Sequence, residues 1–167
     1  MHLMETLSAW SRALRDPSLR DLPYKVETNE YGQLVMTPTR PAHSHAQAEI
    51  AGFLRELIEA PGRGAVEFAV DTPKGVKVTD VAWMSEERWQ EYAKDADASP
   101  IAPEICVEVL SKSNTRAEIE EKMELYLGSG AVEVWTCDVD GRMRFFAASG
   151  ELPASELVPE FPTQVEL

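Results

Sequence analysis

A chain of 167 residues, 44% hydrophobic and 27% charged, has the composition of one ordinary globular domain, long enough to bury a core without disulfide or metal staples. Its 29 acidic and 16 basic residues leave a net charge of −13, which excludes a protein that coats nucleic acid through bulk positive charge. A metal-dependent nuclease stays open, because its carboxylates recruit their positive charge as divalent ions.

Residues 5–15 carry Leu7, Trp10 and Leu14 at helical spacing, and Asp16-Pro17 ends that helix. It is read as an N-terminal helical extension over residues 1–20, ahead of a domain over 21–167, its stripe facing the domain or a partner subunit. Tyr24-Lys25-Val26-Glu27 and Gln33-Leu34-Val35-Met36 read as the strands of a hairpin, with Asn29 and Gly32 in the reversal. Pro38 and Pro41 lead into a helix over residues 42–60, where Ile50, Phe53, Leu54, Leu57 and Ile58 form an inward stripe. His43 stands seven residues before Ile50 and opens the same stripe.

Strands are expected over residues 65–70 and 76–84. In the second, Asp80 shares a face with Val76, Val78, Ala82 and Met84. A short polar helix over 86–93 follows Ser85 as N-cap, and a Pro-containing acidic loop follows that. Ile105-Cys106-Val107-Glu108-Val109 is a strand that embeds Glu108 on the face of Cys106 and Leu110, with Ile105, Val107 and Val109 on the other. A helix over 116–127 follows, with Ile119, Met123, Tyr126 and Leu127 on one face and Lys122 beside them. Strands over 131–137 and 142–147 flank Asp138-Val139-Asp140-Gly141, and residues 164–167 are expected to pair as an edge strand. Helix, hairpin, helix, antiparallel strands, helix and strands make a mixed α/β sheet (α+β) flanked by helices.

No apolar run reaches the roughly 20 residues that span a bilayer, and the N-terminus lacks the basic start and apolar block of a secretory signal. A cytoplasmic protein with no membrane segment is expected. Cys106 and Cys137 fall in strand-like apolar runs, which suits a reduced core, and two cysteines alone make no zinc site.

A buried carboxylate is costly unless a cation or several donors meet it. Asp80 and Glu108, inward on two strands, could bridge a hard divalent cation, and Lys122 on the next helix could position or deprotonate an attacking water. Those are the parts for hydrolysing a phosphodiester. From spacing alone, Lys122 could equally form an i, i+4 pair with Glu118, worth only ~0.3–0.5 kcal/mol on an exposed helix. Lys74, Lys112 and Arg116 could rim a phosphate backbone or be ordinary solvated charges.

Glu27, Met36-Thr37-Pro38, His43, Thr79-Asp80-Val81, Val107-Glu108-Val109-Leu110-Ser111, Lys122, Tyr126, Glu133-Val134-Trp135 and Asp138 stand in an order and spacing that resemble the Uma-two family. That family is restriction-endonuclease-like and lies within the PD-(D/E)XK nuclease superfamily; the resemblance spans residues 24–146. It implies a restriction-endonuclease-like mixed central sheet, DNA as substrate, and Mg²⁺ or Mn²⁺ held by Asp80 and Glu108. The superfamily lysine two positions after the acid is replaced here by Leu110; the resemblance implies that Lys122 takes its role and that Glu27 and His43 complete the site. Thr79 stands in place of a proline, the Glu27 hairpin is one residue longer, and Glu118 stands where the family has an aspartate. Many nucleases of the superfamily are dimers, so a homodimer is possible. Two other readings remain: a nuclease-fold module that binds nucleic acid or protein without cutting, and an enzyme that uses the carboxylate pair on another substrate.

Overall fold

The computed structural model describes residues 8–167, so Leu7 and the predicted first turn from residue 5 lie outside it. Ser8 caps helix α1 (Ala9–Arg15) by accepting from Ser11 N through its side chain. The helix buries no residue. It is held to the loop ahead of Pro100 by polar contacts: Trp10 Nε1 donates to Asp97 O at 2.8 Å, and Ser11 Oγ to Asp97 Oδ2 at 2.7 Å.

Strands β1 (Tyr24–Thr28) and β2 (Leu34–Pro38) form the expected hairpin as a separate two-stranded sheet. Helix α2 (Pro41–Leu57) follows, with Pro41 in its first turn. It ends three residues short of the expected Ala60. Ile58 turns extended at φ −95°, ψ 112°, and Pro61 disfavours helix in the residue before it.

The main sheet has six strands in chain order, β3 (Gly62–Thr72), β4 (Gly75–Ser85), β5 (Ile105–Val109), β6 (Glu133–Cys137), β7 (Met143–Ala147) and β8 (Gly150–Leu152). All pairs are antiparallel except β5–β6. That parallel pair needs a crossover, supplied by helix α4 (Arg116–Gly128). Between β4 and β5 lies a single turn, α3 (Glu86–Arg88), capped by Ser85 and widening into a π turn over Trp89–Ala93. The edge strand is β8, not residues 164–167: the tail makes one isolated bridge, Arg142 with Gln164, because three prolines interrupt it.

The two faces of β5 go where alternation sends them. Ile105, Val107 and Val109 join Ile50, Leu54, Val81, Trp135 and Phe161 in a core beneath α2 and the C-terminal segment. Cys106 joins Val70, Val134 and Tyr126 beneath α4. Burial on both faces is what a near-continuous apolar strand requires. Trp135, Phe145 and Phe161 pack at 4.7–6.3 Å between ring centres, Phe145 edge-on to the other two and Trp135 tilted against Phe161. Among the described residues no helix is long and apolar enough to cross a membrane.

Candidate active site

The ladder between β4 and β5 pairs Trp83 with Ile105, Ala82 with Cys106 and Val81 with Val107, then stops. Next in register would be Asp80 and Glu108. Instead Asp80 Oδ2 accepts from Val109 N at 2.8 Å, so a side chain takes the donor that a continuing strand would have used. On its other edge the β3–β4 ladder passes from Val66–Val81 to Phe68–Thr79 without a pair for Asp80. Glu67, opposite it, has φ +51°, the left-handed region, and is the only such non-glycine among the described residues. Thr79, fully buried, holds the fork: its hydroxyl lies 3.0 Å from Val107 O and 3.1 Å from Val81 O. Proline could not make that bond.

The free edge of β4 receives β1 through side chains. Thr28 Oγ1 accepts from Val76 N at 2.8 Å, and Glu27 Oε2 accepts from Val78 N at 2.7 Å. Gly75 (φ +92°) lets the backbones meet, since a Cβ there would lie 2.5 Å from Thr28 O. Docked this way, β1 turns Lys25 and Glu27, two apart on one strand face, into the fork.

Three carboxylates and three basic side chains meet there. Lys25 Nζ lies 2.9 Å from Asp80 Oδ1 and 3.9 Å from Glu108 Oε2. His43 Nε2, from the first turns of α2, lies 3.3 Å from Asp80 Oδ2, while its Nδ1 is buried without a partner. Lys122 Nζ lies 2.9 Å from Glu27 Oε2 and 3.6 Å from Glu108 Oε1, and Tyr126 OH donates to that same Oε1 at 2.7 Å. Glu118 is not the partner of Lys122. It forms a capping box with Thr115, each side chain meeting the other residue's backbone N at 3.2 Å.

The structure therefore brings together all five residues singled out in the sequence, Glu27, His43, Asp80, Glu108 and Lys122, and adds Lys25, Tyr126 and Gln47. Gln47 Nε2 donates to Asp80 O at 3.1 Å and fixes its backbone. Lys25 escaped notice because a lysine on a polar hairpin strand reads as solvated. The available signal was its position two before Glu27, on the same face.

Burial would raise the Asp80 carboxyl, but the His43 hydrogen bond and the Lys25 ammonium outweigh it and hold Asp80 well below the ordinary carboxylate range. For Glu108 the balance reverses. Burial dominates, Lys122 and Lys25 offset only part of it, and its pKa is pushed up to about 7. Lys25 is opposed by burial, yet Glu108, Asp80 and Glu27 keep it firmly protonated, raised above the ordinary lysine value. The Asp80 hydrogen bond likewise raises His43.

Each central carboxylate commits one oxygen to protein donors, Asp80 Oδ2 to Val109 N and His43, Glu108 Oε1 to Tyr126 and Lys122. The other two, Asp80 Oδ1 and Glu108 Oε2, face one ammonium. This donor pair suits a hard divalent ion of the magnesium kind, which takes one or two carboxylates and leaves its remaining positions to water and phosphate. Lys25 supplies the positive charge that these two oxygens face. Among the described residues no cluster of three or more His, Cys, Asp or Glu is arranged to hold a metal, so the fit rests on this pair.

Two open depressions flank the cluster and share Glu27, Thr37, Glu108, Asn114 and Lys122. The larger, about 420 Å³, reaches Lys74 and Lys77; the smaller, about 120 Å³, reaches Arg40, His43 and Glu67. Of the proposed basic rim, Lys74 pairs with Glu121 at 2.7 Å and Arg116 with Glu120 at 2.7 Å, so both are partly spent in local ion pairs.

The sequence model of the Uma2 family, described as "Putative restriction endonuclease", matches residues 16–150. Among solved structures, that of "a putative nuclease belonging to DUF820" from Anabaena variabilis ATCC 29413 aligns over 95% of this chain and 95% of that one. The TM-score is 0.73 at 16% identity, a likeness that shows a shared fold. No curated protein matches the sequence.

Proposed function

The chain belongs to the Uma2 family, and from that membership we propose that it is a divalent-metal-dependent endonuclease that hydrolyses phosphodiester bonds in DNA. One observation carries this reading: two buried carboxylates, just past the last rung of their ladder, turn their uncommitted oxygens to a single cation seat. Asp80 and Glu108 would hold Mg²⁺ or Mn²⁺ through those oxygens. A bound ion of this kind polarises the phosphate and offsets the charge gained in the transition state.

The remaining steps belong to the chain. Lys122, at the lip of both depressions, orients the attacking water and supplies a fixed positive charge beside the phosphate. Glu27 holds the Lys122 ammonium at 2.9 Å and sets its direction. His43 holds Asp80, and Tyr126 keeps Glu108 from rotating away from the seat. The net charge of −13 confines contact to a narrow region around the bound ion, so DNA affinity in EDTA is expected to be weak.

A plasmid-nicking assay with Mg²⁺ or Mn²⁺ tests this. Cleavage by the wild type, abolished in EDTA, in Asp80→Ala and in Lys122→Ala, is the expected result. Cleavage that persists in EDTA or in Asp80→Ala overturns it. The Lys25 ammonium in the cation seat favours one second reading, a nuclease-fold module that binds nucleic acid or protein without cutting. That reading gains if folded wild type binds DNA equally with and without Mn²⁺ and cuts in neither condition.

A further inference from the structure

The hairpin does not need Lys25 to stay docked. Thr28 Oγ1 and Glu27 Oε2 already satisfy the Val76 and Val78 N–H groups, and Lys77 Nζ donates to Thr28 O at 3.0 Å. A buried ion pair is in any case weak evidence for stability, because desolvation of the charges offsets much of their attraction. Yet Lys25 is only 10% exposed, between carboxylates that are 2% and 5% exposed, and its ammonium meets the one oxygen of each that faces the seat. Its position is explained by what it occupies.

We propose that Lys25 is the resident cation of the site, filling the seat between Asp80 and Glu108 until a divalent ion displaces it. This role rests on the metal-site reading above. The ammonium, 2.9 Å from Asp80 Oδ1 and 3.9 Å from Glu108 Oε2, lies where an ion bridging those two oxygens would sit, and the two charges repel. The ammonium has somewhere to go. Lys25 lines the smaller depression, about 120 Å³, together with Thr37, Thr39 and Arg40. Metal loading and Lys25 withdrawal are then one equilibrium, in which occupancy by either cation lowers the affinity for the other. The arrangement spares the metal-free protein an unmet oxygen on each of two buried carboxylates, and it lowers metal affinity below what the oxygens alone would give.

Isothermal calorimetry with Mn²⁺ on the full chain tests this in wild type, Lys25→Met, Lys25→Arg and Asp80→Asn. Lys25→Met is expected to bind Mn²⁺ more tightly than wild type by about tenfold or more, within the usual range for coupled equilibria, and to gain more melting temperature from Mn²⁺. Lys25→Arg keeps the charge on a fork that matches two oxygens, so it is expected to bind Mn²⁺ no more tightly than wild type. Binding by Lys25→Met alone would be the strongest support. Equal or weaker binding by Lys25→Met, with binding lost in Asp80→Asn, overturns the role of Lys25 and leaves the metal site standing. No binding by any of the four proteins overturns both. If Lys25→Met does not fold, Lys25→Arg decides, and tighter binding there rejects the proposal.

Discussion

Tyr126 OH donates to Glu108 Oε1 at 2.7 Å, fully buried between α4 and β5, one helical turn beyond Lys122, which reaches the same oxygen at 3.6 Å. Two side chains at i and i+4 of one helix thus address a single carboxylate oxygen. The capping box at Thr115 fixes where that helix begins, and so sets its register above the strand.

Removing the hydroxyl by Tyr126→Phe leaves the ring and its packing in place but takes one donor from a buried carboxylate. The expected cost is about 1–3 kcal/mol in the metal-free protein, read from urea denaturation in EDTA at pH 8. Lys122→Met, acting on the same oxygen, is expected to be non-additive with it, and a double-mutant cycle measures the coupling.

Much of this site was legible in the strand pattern. Alternation along β5 sorted Glu108 from Ile105, Val107 and Val109, and the stripe of α2 put His43 on the inward side. Other parts depended on tertiary contact. Strands β3 and β4 run to 11 residues each, longer than apolar content suggests, because Gly62 to Gly64 pair with Trp83 to Ser85 despite looking like a helix stop. The edge strand β8 is three residues ending just before Pro153, too short to carry a period. Lys25 became a site residue only when β1 docked into a fork whose position no local pattern records.

Glu133 makes the opposite use of a buried carboxylate. It accepts from Trp135 Nε1 at 2.6 Å, Ser155 Oγ at 2.7 Å, Glu156 N at 2.8 Å and Leu157 N at 3.0 Å, with no cation involved. These donors tie the C-terminal segment to β6, so its role is structural. Glu133→Ala is expected to cost about 3 kcal/mol or more in urea denaturation, since four donors lose their acceptor. Whatever folded protein remains should bind Mn²⁺ as the wild type does.

In EDTA, the pKa of Glu108, raised from 4.5 to about 7, ties stability to pH. Between those values the folded state holds a proton that the unfolded state has released, so stability is full below about 4.5 and is lost as pH rises through 7. His43, also raised, acts in the same direction above its ordinary 6.5. Asp80 acts oppositely, its stabilisation present above 3.8 and lost only as pH falls through its depressed pKa. Unfolding free energy should therefore fall from pH 5 to pH 8 in the metal-free wild type. Glu108→Gln, which cannot titrate, should flatten that slope to the His43 part. An unchanged slope in Glu108→Gln would assign the dependence elsewhere.

Glu27 separates holding the fold from holding the site, because one oxygen serves both: Oε2 accepts from Val78 N at 2.7 Å and lies 2.9 Å from Lys122 Nζ. Glu27→Ala strands the buried Val78 N–H and should cost about 1–3 kcal/mol. Glu27→Gln keeps an oxygen for that N–H and nearly the same volume, so its stability should stay within about 1 kcal/mol of wild type. The charge that anchors Lys122 is lost in both. Metal-supported cleavage should therefore fall by about 10–100-fold in Glu27→Gln as well, the usual effect of removing a group that orients a site residue. Paired denaturation and nicking assays on the two variants check this. A Glu27→Gln protein that is both as stable and as active as wild type would reduce Glu27 to a strand acceptor and leave Lys122 to be positioned by Glu108 alone.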